Sequence, residues 1–254
     1  ETMQYGNSVG PFLDRIPETP ESFAFVEPSL GESNVPLREF DPETVREHCA
    51  AADLDLIVHL PFEQPLVHAP PEHAEGAHAY FERALDLAAA AGADRAVAHC
   101  TANRGSRDDL DLFRENVRRL DAAGAERGVE VTFENLGKLD RGYDLDTVGR
   151  VLEDCGAACC FDVGHAFEED GQAAIESFLA DYAHLVTHLH VHDVRARGDT
   201  HLALGDGEID YEPVAAELAA AGFDGTITIE SFSPDLSLCE HSADRLREAF
   251  DRVG

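Results

Sequence analysis

The sequence predicts one (β/α)₈ TIM barrel, and three observations carry that expectation. Short apolar, β-branched runs alternate with helical patterns along the whole chain, the signature of parallel strand–helix units. The length, 254 residues, suits eight such units and buries a core large enough that neither disulfides nor a metal is needed to fold it. Gly92, Gly128, Gly156, Gly222 and Gly225 stand where helices should end and the chain should turn back into a strand. Residues 1–254 are read as a single barrel domain, with no linker or low-complexity tract. Met3, the only methionine, marks the expected native start, with Glu1 and Thr2 a cloning remnant.

Taken in order, the strands are expected at Gln4–Ser8, Phe23–Pro28, Leu56–Pro61, Arg95–Cys100, Glu130–Asn135, Ala158–Val163, Val186–Val194 and Thr226–Ser231. The helices between and after them are expected at Pro42–Ala52, His73–Ala91, Leu110–Arg127, Leu145–Cys155, Gln172–Tyr182, Tyr211–Ala221 and His241–Arg252. The first helix, near Pro11–Glu21, is the weakest element because Pro17 and Pro20 interrupt it.

Composition narrows the setting. Lys+Arg 19 against Asp+Glu 51 gives a net charge of −32, spread over the chain, with Lys138 the single lysine. Such a balance suits a cytoplasmic protein of a salt-loving organism, where salt screens self-repulsion. Cys49, Cys100, Cys155, Cys159, Cys160 and Cys239 form no C-x-x-C pair, so reduced, structural thiols are expected. No apolar run is long enough for a membrane span, and no signal peptide is evident.

Function should sit at the C-terminal ends of the strands, which converge on one face of such a barrel. Strand 3 ends with His59, strand 4 with His99, strand 5 with Glu134-Asn135, and strand 6 runs into Asp162-Val163-Gly164-His165. Strand 7 carries His188, His190 and His192 on one face, the loop after it holds Asp199-Thr200-His201, and strand 8 ends in Glu230. A carboxylate in an apolar strand is costly to bury without a partner. Recurring in consecutive units, carboxylate oxygens and imidazole nitrogens make a divalent-metal site. His190 is the expected strand 7 ligand; His192 is expected to line the pocket and His188 to lie deeper, in the core.

These residues resemble the xylose isomerase-like TIM-barrel superfamily, which holds sugar (phosphate) isomerases and epimerases and also endonuclease IV. The likeness runs from strand 2 onward. Its most specific pieces are Phe133-Glu134-Asn135, Asp162-Val163-Gly164-His165, His190-Val191-His192-Asp193, and Asp199-Thr200-His201 followed by Gly205-Asp206-Gly207-Glu208-Ile209-Asp210. The resemblance implies one Mn²⁺, Mg²⁺ or Co²⁺ held by Glu134, Asp162, His190 and Glu230. It further implies that Glu134 and Glu230 are catalytic, moving protons on opposite faces of a ketose or aldose through an enediolate stabilised by the metal. The endonuclease IV branch implies instead three Zn²⁺ on a larger set that this chain can fill: His59, His99, Glu134, Asp162, His165, His190, Asp199, His201 and Glu230.

A chain at −32 disfavours nucleic acid as substrate, because duplex affinity comes largely from basic contacts to phosphate. The expected partner is a small carbohydrate, phosphorylated or not; an oligomer stays open. His165 and His192 are candidate substrate contacts. Arg104, Lys138, Arg195 and Arg197 fall in loops expected to ring the mouth and are candidates to receive an anionic substituent, against the alternative that the arginines pair with surface carboxylates. The favoured expectation is a metal-dependent sugar isomerase or epimerase, from which a lyase or dehydratase using the same enolising chemistry is not separable. An endonuclease IV-like trinuclear zinc phosphodiester hydrolase stands second, and a non-catalytic metal- or sugar-binding barrel third.

Overall fold

The eight β-branched runs form eight strands: β1 (Gln4–Gly10), β2 (Phe25–Pro28), β3 (Asp55–His59), β4 (Arg95–His99), β5 (Glu130–Glu134), β6 (Ala158–Asp162), β7 (Val186–Val191) and β8 (Thr226–Ile229). In the computed structural model, which describes residues 3–103, 105–136 and 142–253, they pair in parallel and in chain order, and β8 closes on β1. Around them lie α1 (Pro42–Ala52), α2 (Pro71–Ala91), α3 (Leu110–Ala125), α4 (Leu145–Cys155), α5 (Val163–Asp170), α6 (Gln172–Tyr182), α7 (Tyr211–Ala221) and α8 (Leu236–Val253). The outward faces of the strands pack on the helices; Phe161 of β6, for instance, stacks on Phe178 of α6 at 4.6 Å. No helix among the described residues is long and apolar enough to cross a membrane.

The inward faces position the site. Phe25, Ile57, Val97 and Cys160 meet inside the barrel as a small apolar plug. Side chains two residues apart share a face of a strand. Each plug residue is therefore followed, one layer nearer the C-terminal end, by a polar one: Glu27, His59, His99 and Asp162. Thr132, His188 and Thr228 lead in the same way to Glu134, His190 and Glu230. The barrel interior thus changes from apolar to acidic and imidazole-rich within a single layer.

Four departures from the expected elements stand out. The helix expected near Pro11–Glu21 is a short 3₁₀ turn, Leu13–Glu18, because Pro17 inside it has no N–H to donate. Helices α2 and α8 begin earlier than expected, at Pro71 and Leu236. Strand β7 ends at Val191, where Asp193 leaves the barrel to pair with Leu202. The fourth departure is α5, which starts straight from β6 without a loop. Asp162 is its N-cap and accepts the N–H of His165 at 2.7 Å, so a residue expected to serve only as a ligand also begins a helix.

Candidate metal and active site

Three carboxylates converge on the Nδ1 atom of His190, making a set of four donors. Glu134 Oε2 and Glu230 Oε1 each lie 3.5 Å away and Asp162 Oδ2 lies 4.0 Å away. Ligand atoms around one ion with bonds of about 2.0–2.2 Å sit roughly 3–3.5 Å apart, so the set needs little movement to close on a cation. His190 Nδ1 and Asp162 Oδ2 are buried and have no hydrogen-bond partner among the described residues, a costly arrangement that a cation would satisfy. Three carboxylates and one imidazole suit a hard or borderline divalent ion.

The positions of these donors are held from behind. Asn135 grips the backbone of Asp162 on both sides, donating from Nδ2 to its carbonyl at 2.9 Å and accepting its N–H at 2.8 Å. His192 Nδ1 accepts the N–H of His201, which leaves the proton on Nε2, 3.2 Å from Asp162 Oδ1. His192 is fully buried behind His201 and supports Asp162 rather than lining the pocket as expected. His188 is the deep histidine that strand alternation anticipated. It bonds Thr226 and Glu27, and burial pushes its pKa down to about 4 against the pull of Glu27.

Glu27 is the residue that sequence reasoning missed. Its carboxylate, 1 % exposed, lies 3.1 Å from His190 Nε2 and 3.3 Å from His188 Nε2, and it accepts the hydroxyl of Thr228. By holding Nε2–H of His190 it leaves Nδ1 as the nitrogen turned toward Glu134, Asp162 and Glu230, the one able to bind a cation once it gives up its proton. Burial alone would raise the Glu27 pKa; His190 and His188 outweigh it and hold the carboxyl well below its usual range.

The outer histidines divide into two groups. His59 and His99 both face Glu134 Oε2, at 3.1 and 3.2 Å. His165 faces Glu134 Oε1 at 3.3 Å and Asp162 Oδ2 at 3.4 Å, and His201 Nε2 lies 3.8 Å from Glu230 Oε2. His201 is held in the left-handed backbone region, φ 53°, with its ring stacked on His192 at 4.1 Å. Asp199 does not join them: Arg195 and Arg197 engage its carboxylate at 3.2 and 2.6 Å. These two arginines are thus surface ion-pair partners and do not line the cavity. Lys138 and Arg104 lie outside the described residues.

Two of the motif pieces acquire physical reasons here. The Asp193 carboxylate accepts N–H groups from Val194, Gly205 and Ile209, so it folds the Gly205–Ile209 loop rather than taking part in chemistry. A Cβ on Gly164 would come within 2.0 Å of the His192 ring. Gly164→Ala should therefore push His192 away from Asp162 and lower metal affinity about tenfold, as other losses behind a ligand do, while α5 still forms. Metal titration against a chelator checks this, and an unchanged affinity would show that His192 carries no weight at Asp162.

The family model for the xylose isomerase-like TIM barrel matches residues 21–252. The chain belongs to that family. Among its relatives, an uncharacterized protein of Methanocaldococcus jannaschii is 35% identical over 109 residues, 41% of this chain and 37% of that one. An inosose dehydratase of Clostridium botulinum is 23% identical over 143 residues, 49% of this chain and 47% of that one. The chain spans about half the length, or less, of the curated relatives it matches. The solved structures of an L-ribulose 3-epimerase (TM-score 0.81, 14% identity, 99% of this chain and 96% of that one) and a D-tagatose 3-epimerase-like protein (TM-score 0.80, 19%, 99% and 98%) share its fold.

Proposed function

We propose that the chain is a divalent-metal-dependent enzyme that moves a proton at the carbon beside a carbonyl of a small polyhydroxylated substrate, as a sugar isomerase or epimerase does. One observation carries this reading: of the four converging donors, only Glu134 and Glu230 line the open cavity, while Asp162 and His190 lie fully buried behind them. The two groups able to exchange protons are the two that a substrate would touch. A bound ion held by Glu134, Asp162, His190 and Glu230 would supply positive charge where oxyanion charge develops.

The two glutamates are biased in opposite directions. Burial raises the Glu134 pKa, but His99, His190 and His165 outweigh it and hold the carboxyl well below its usual range. Burial raises that of Glu230, and Glu134, Asp162 and Glu27 add to this against the pull of His190. Such a split suits Glu134 to accept a proton and Glu230 to deliver one. Supporting the substrate class, the relatives include inosose dehydratases, and the shared fold is that of sugar 3-epimerases.

The test is hydrogen exchange in D₂O. With Mn²⁺ present, a panel of ketopentoses, ketohexoses and inosose should include a compound that gains one deuterium beside its carbonyl. Epimerisation or loss of water then names the outcome. An absence of exchange across the panel, together with cleavage of abasic-site DNA, would overturn the reading.

A second reading, phosphodiester hydrolysis at a zinc cluster, is favoured by the meeting of His59 and His99 on Glu134. The engagement of Asp199 by two arginines weighs against its third ion. One ion per chain, retained in His59→Ala and His99→Ala, is expected; three tightly held zinc ions lost in those variants would favour the hydrolase.

Metal binding should also release protons. Burial lowers the pKa of His165, but Asp162, Glu134 and Glu230 overcome it and raise it to about 10; His190 is raised well above its usual value by Cys160, Glu230, Glu27 and Glu134 against its own burial. In the metal-free protein both imidazoles hold protons at neutral pH. The stability from His165 is complete below pH 6.5 and fades as pH rises through about 10. A cation must displace the His190 proton to bind Nδ1. Calorimetry in buffers of different ionisation enthalpy should report about one proton released per ion near pH 7, with affinity rising as pH rises. Release of no proton would contradict ligation by His190.

A further inference from the structure

Above the carboxylates, the cavity changes character. Its volume is about 1130 Å³, whereas pockets that engulf drug-sized ligands are typically about 300–1,000 Å³. The inner end carries Glu134, Glu230, His59, His99 and His165. The outer end is walled by Phe12, Phe62, Leu136, Phe232 and Pro234, with Arg15 among them. Phe12, Phe62 and Phe232 are 55%, 40% and 66% exposed, and they are the exposed phenylalanines among the described residues. All three therefore gather at one mouth.

The arrangement continues from the site. Phe232 stacks on His201 at 4.2 Å with ring planes 10° apart, and His201 stacks on His192, giving a column whose outermost face is open. Phe62 lies 5.8 Å from His99 across the mouth. Arg15, in the 3₁₀ turn after β1, is tied by one donor to the carbonyl of Pro234 at 3.2 Å. It has no carboxylate partner within ion-pair distance among the described residues, although the chain carries 51 acidic side chains. Arg38, Arg119, Arg127, Arg150 and Arg252 each hold one; Arg83, Arg118 and Arg245 also show none among the described residues, but they do not line this cavity. A guanidinium beside apolar walls, with donors to spare, is matched by a carboxylate or phosphate. Open aromatic faces are matched by a ring.

We propose that the outer end is a second subsite, which takes a planar or apolar ring bearing a carboxylate or phosphate, joined to the sugar-like unit held at Glu134 and Glu230. The ring stacks on the Phe232 column and its anionic group pairs with Arg15. The inference rests on the reading of the inner end given above. It makes the preferred substrate a two-part molecule, such as a ketose with a free carbonyl that carries an anionic aryl group on a hydroxyl remote from that carbonyl, while a free ketose fills the inner end alone and still exchanges there.

The test uses probes without a sugar, so it does not depend on turnover. Binding of benzoate, phenyl phosphate, benzyl alcohol, acetate and inorganic phosphate to the full chain is measured at fixed ionic strength. Benzoate or phenyl phosphate should bind at least tenfold more tightly than benzyl alcohol, acetate or inorganic phosphate, and the tighter of the two identifies the anionic group. Arg15→Gln should reduce both to the level of benzyl alcohol, and Phe232→Ala should weaken every ring probe about fivefold. Benzoate binding no better than acetate, or unchanged in Arg15→Gln, would overturn the proposal. So would a Phe232→Ala variant that only dissociates a dimer, which would make the aromatic mouth an interface between copies. Ring-anion binding without deuterium exchange on any sugar would retain the subsite and remove the sugar reading; exchange on free ketoses without ring-anion binding would do the reverse.

Discussion

Glu134→Gln and Glu230→Gln should each lower turnover of an identified substrate by on the order of 10²–10⁴-fold, the usual contribution of a positioned acid or base. An amide keeps the shape and one oxygen donor of the carboxylate but can neither take up nor deliver the proton. The effect should lie in kcat more than in KM, because the lost interaction develops in the transition state. Metal content must be read in the same samples. If an ion stays bound while turnover falls, proton transfer rather than ligation has been removed. Near wild-type activity in either variant would end the two-glutamate mechanism. Circular dichroism should stay that of the barrel, since Glu134 ends β5 and Glu230 lies just beyond β8, outside the apolar plug.

Glu27→Gln should weaken divalent-metal binding by about 10–100-fold, the cost usually seen when the partner behind a metal-ligating histidine is lost. The Glu27 carboxylate holds Nε2 of His190 at 3.1 Å and so presents Nδ1 to the other ligands. A carboxamide can turn either a donor or an acceptor toward Nε2, and His190 then no longer has one enforced tautomer. Cobalt-loaded protein provides a readout independent of turnover, because its visible spectrum follows ligand geometry; a shift is expected in Glu27→Gln but not in a surface variant such as Glu75→Gln. The metal-free variant should also be less stable, since His188 and Thr228 lose part of the same partner. Unchanged affinity and spectrum would reduce Glu27 to a packing residue.

The proposed metal donors were legible in the sequence because ionisable residues inside apolar strands violate the expected burial pattern, and strand alternation assigns a face to each. Glu134, Asp162, His190 and Glu230 all satisfied that test, and they meet. Glu27 satisfied it too, inside the expected strand Phe23–Pro28 and two residues after Phe25, but no motif or neighbouring histidine in the sequence singled it out. Arg15 was hidden because Pro17 and Pro20 blurred the segment after β1, so nothing in its pattern aimed it at the mouth. The strand 7 histidines were assigned to one face, and His188 to the deeper position, but His192 was expected to line the pocket and does not. His192 leans on Asp162 behind His201, because the β7 strand ends at Val191 and the loop folded by Asp193 covers it.

Local pattern alone therefore determined the barrel, its strand order and the chemical nature of its C-terminal face. These follow from period-two and helical alternation, which are properties of neighbouring residues. Tertiary structure alone decided which atoms face one another. Asp199 engages Arg195 and Arg197 instead of the histidines, Glu27 crosses the barrel to His190, and three phenylalanines from separate loops line the same cavity as Arg15. Each of these depends on distances between strands and loops far apart in the chain, set by the closure of β8 on β1 and the side-chain packing that follows.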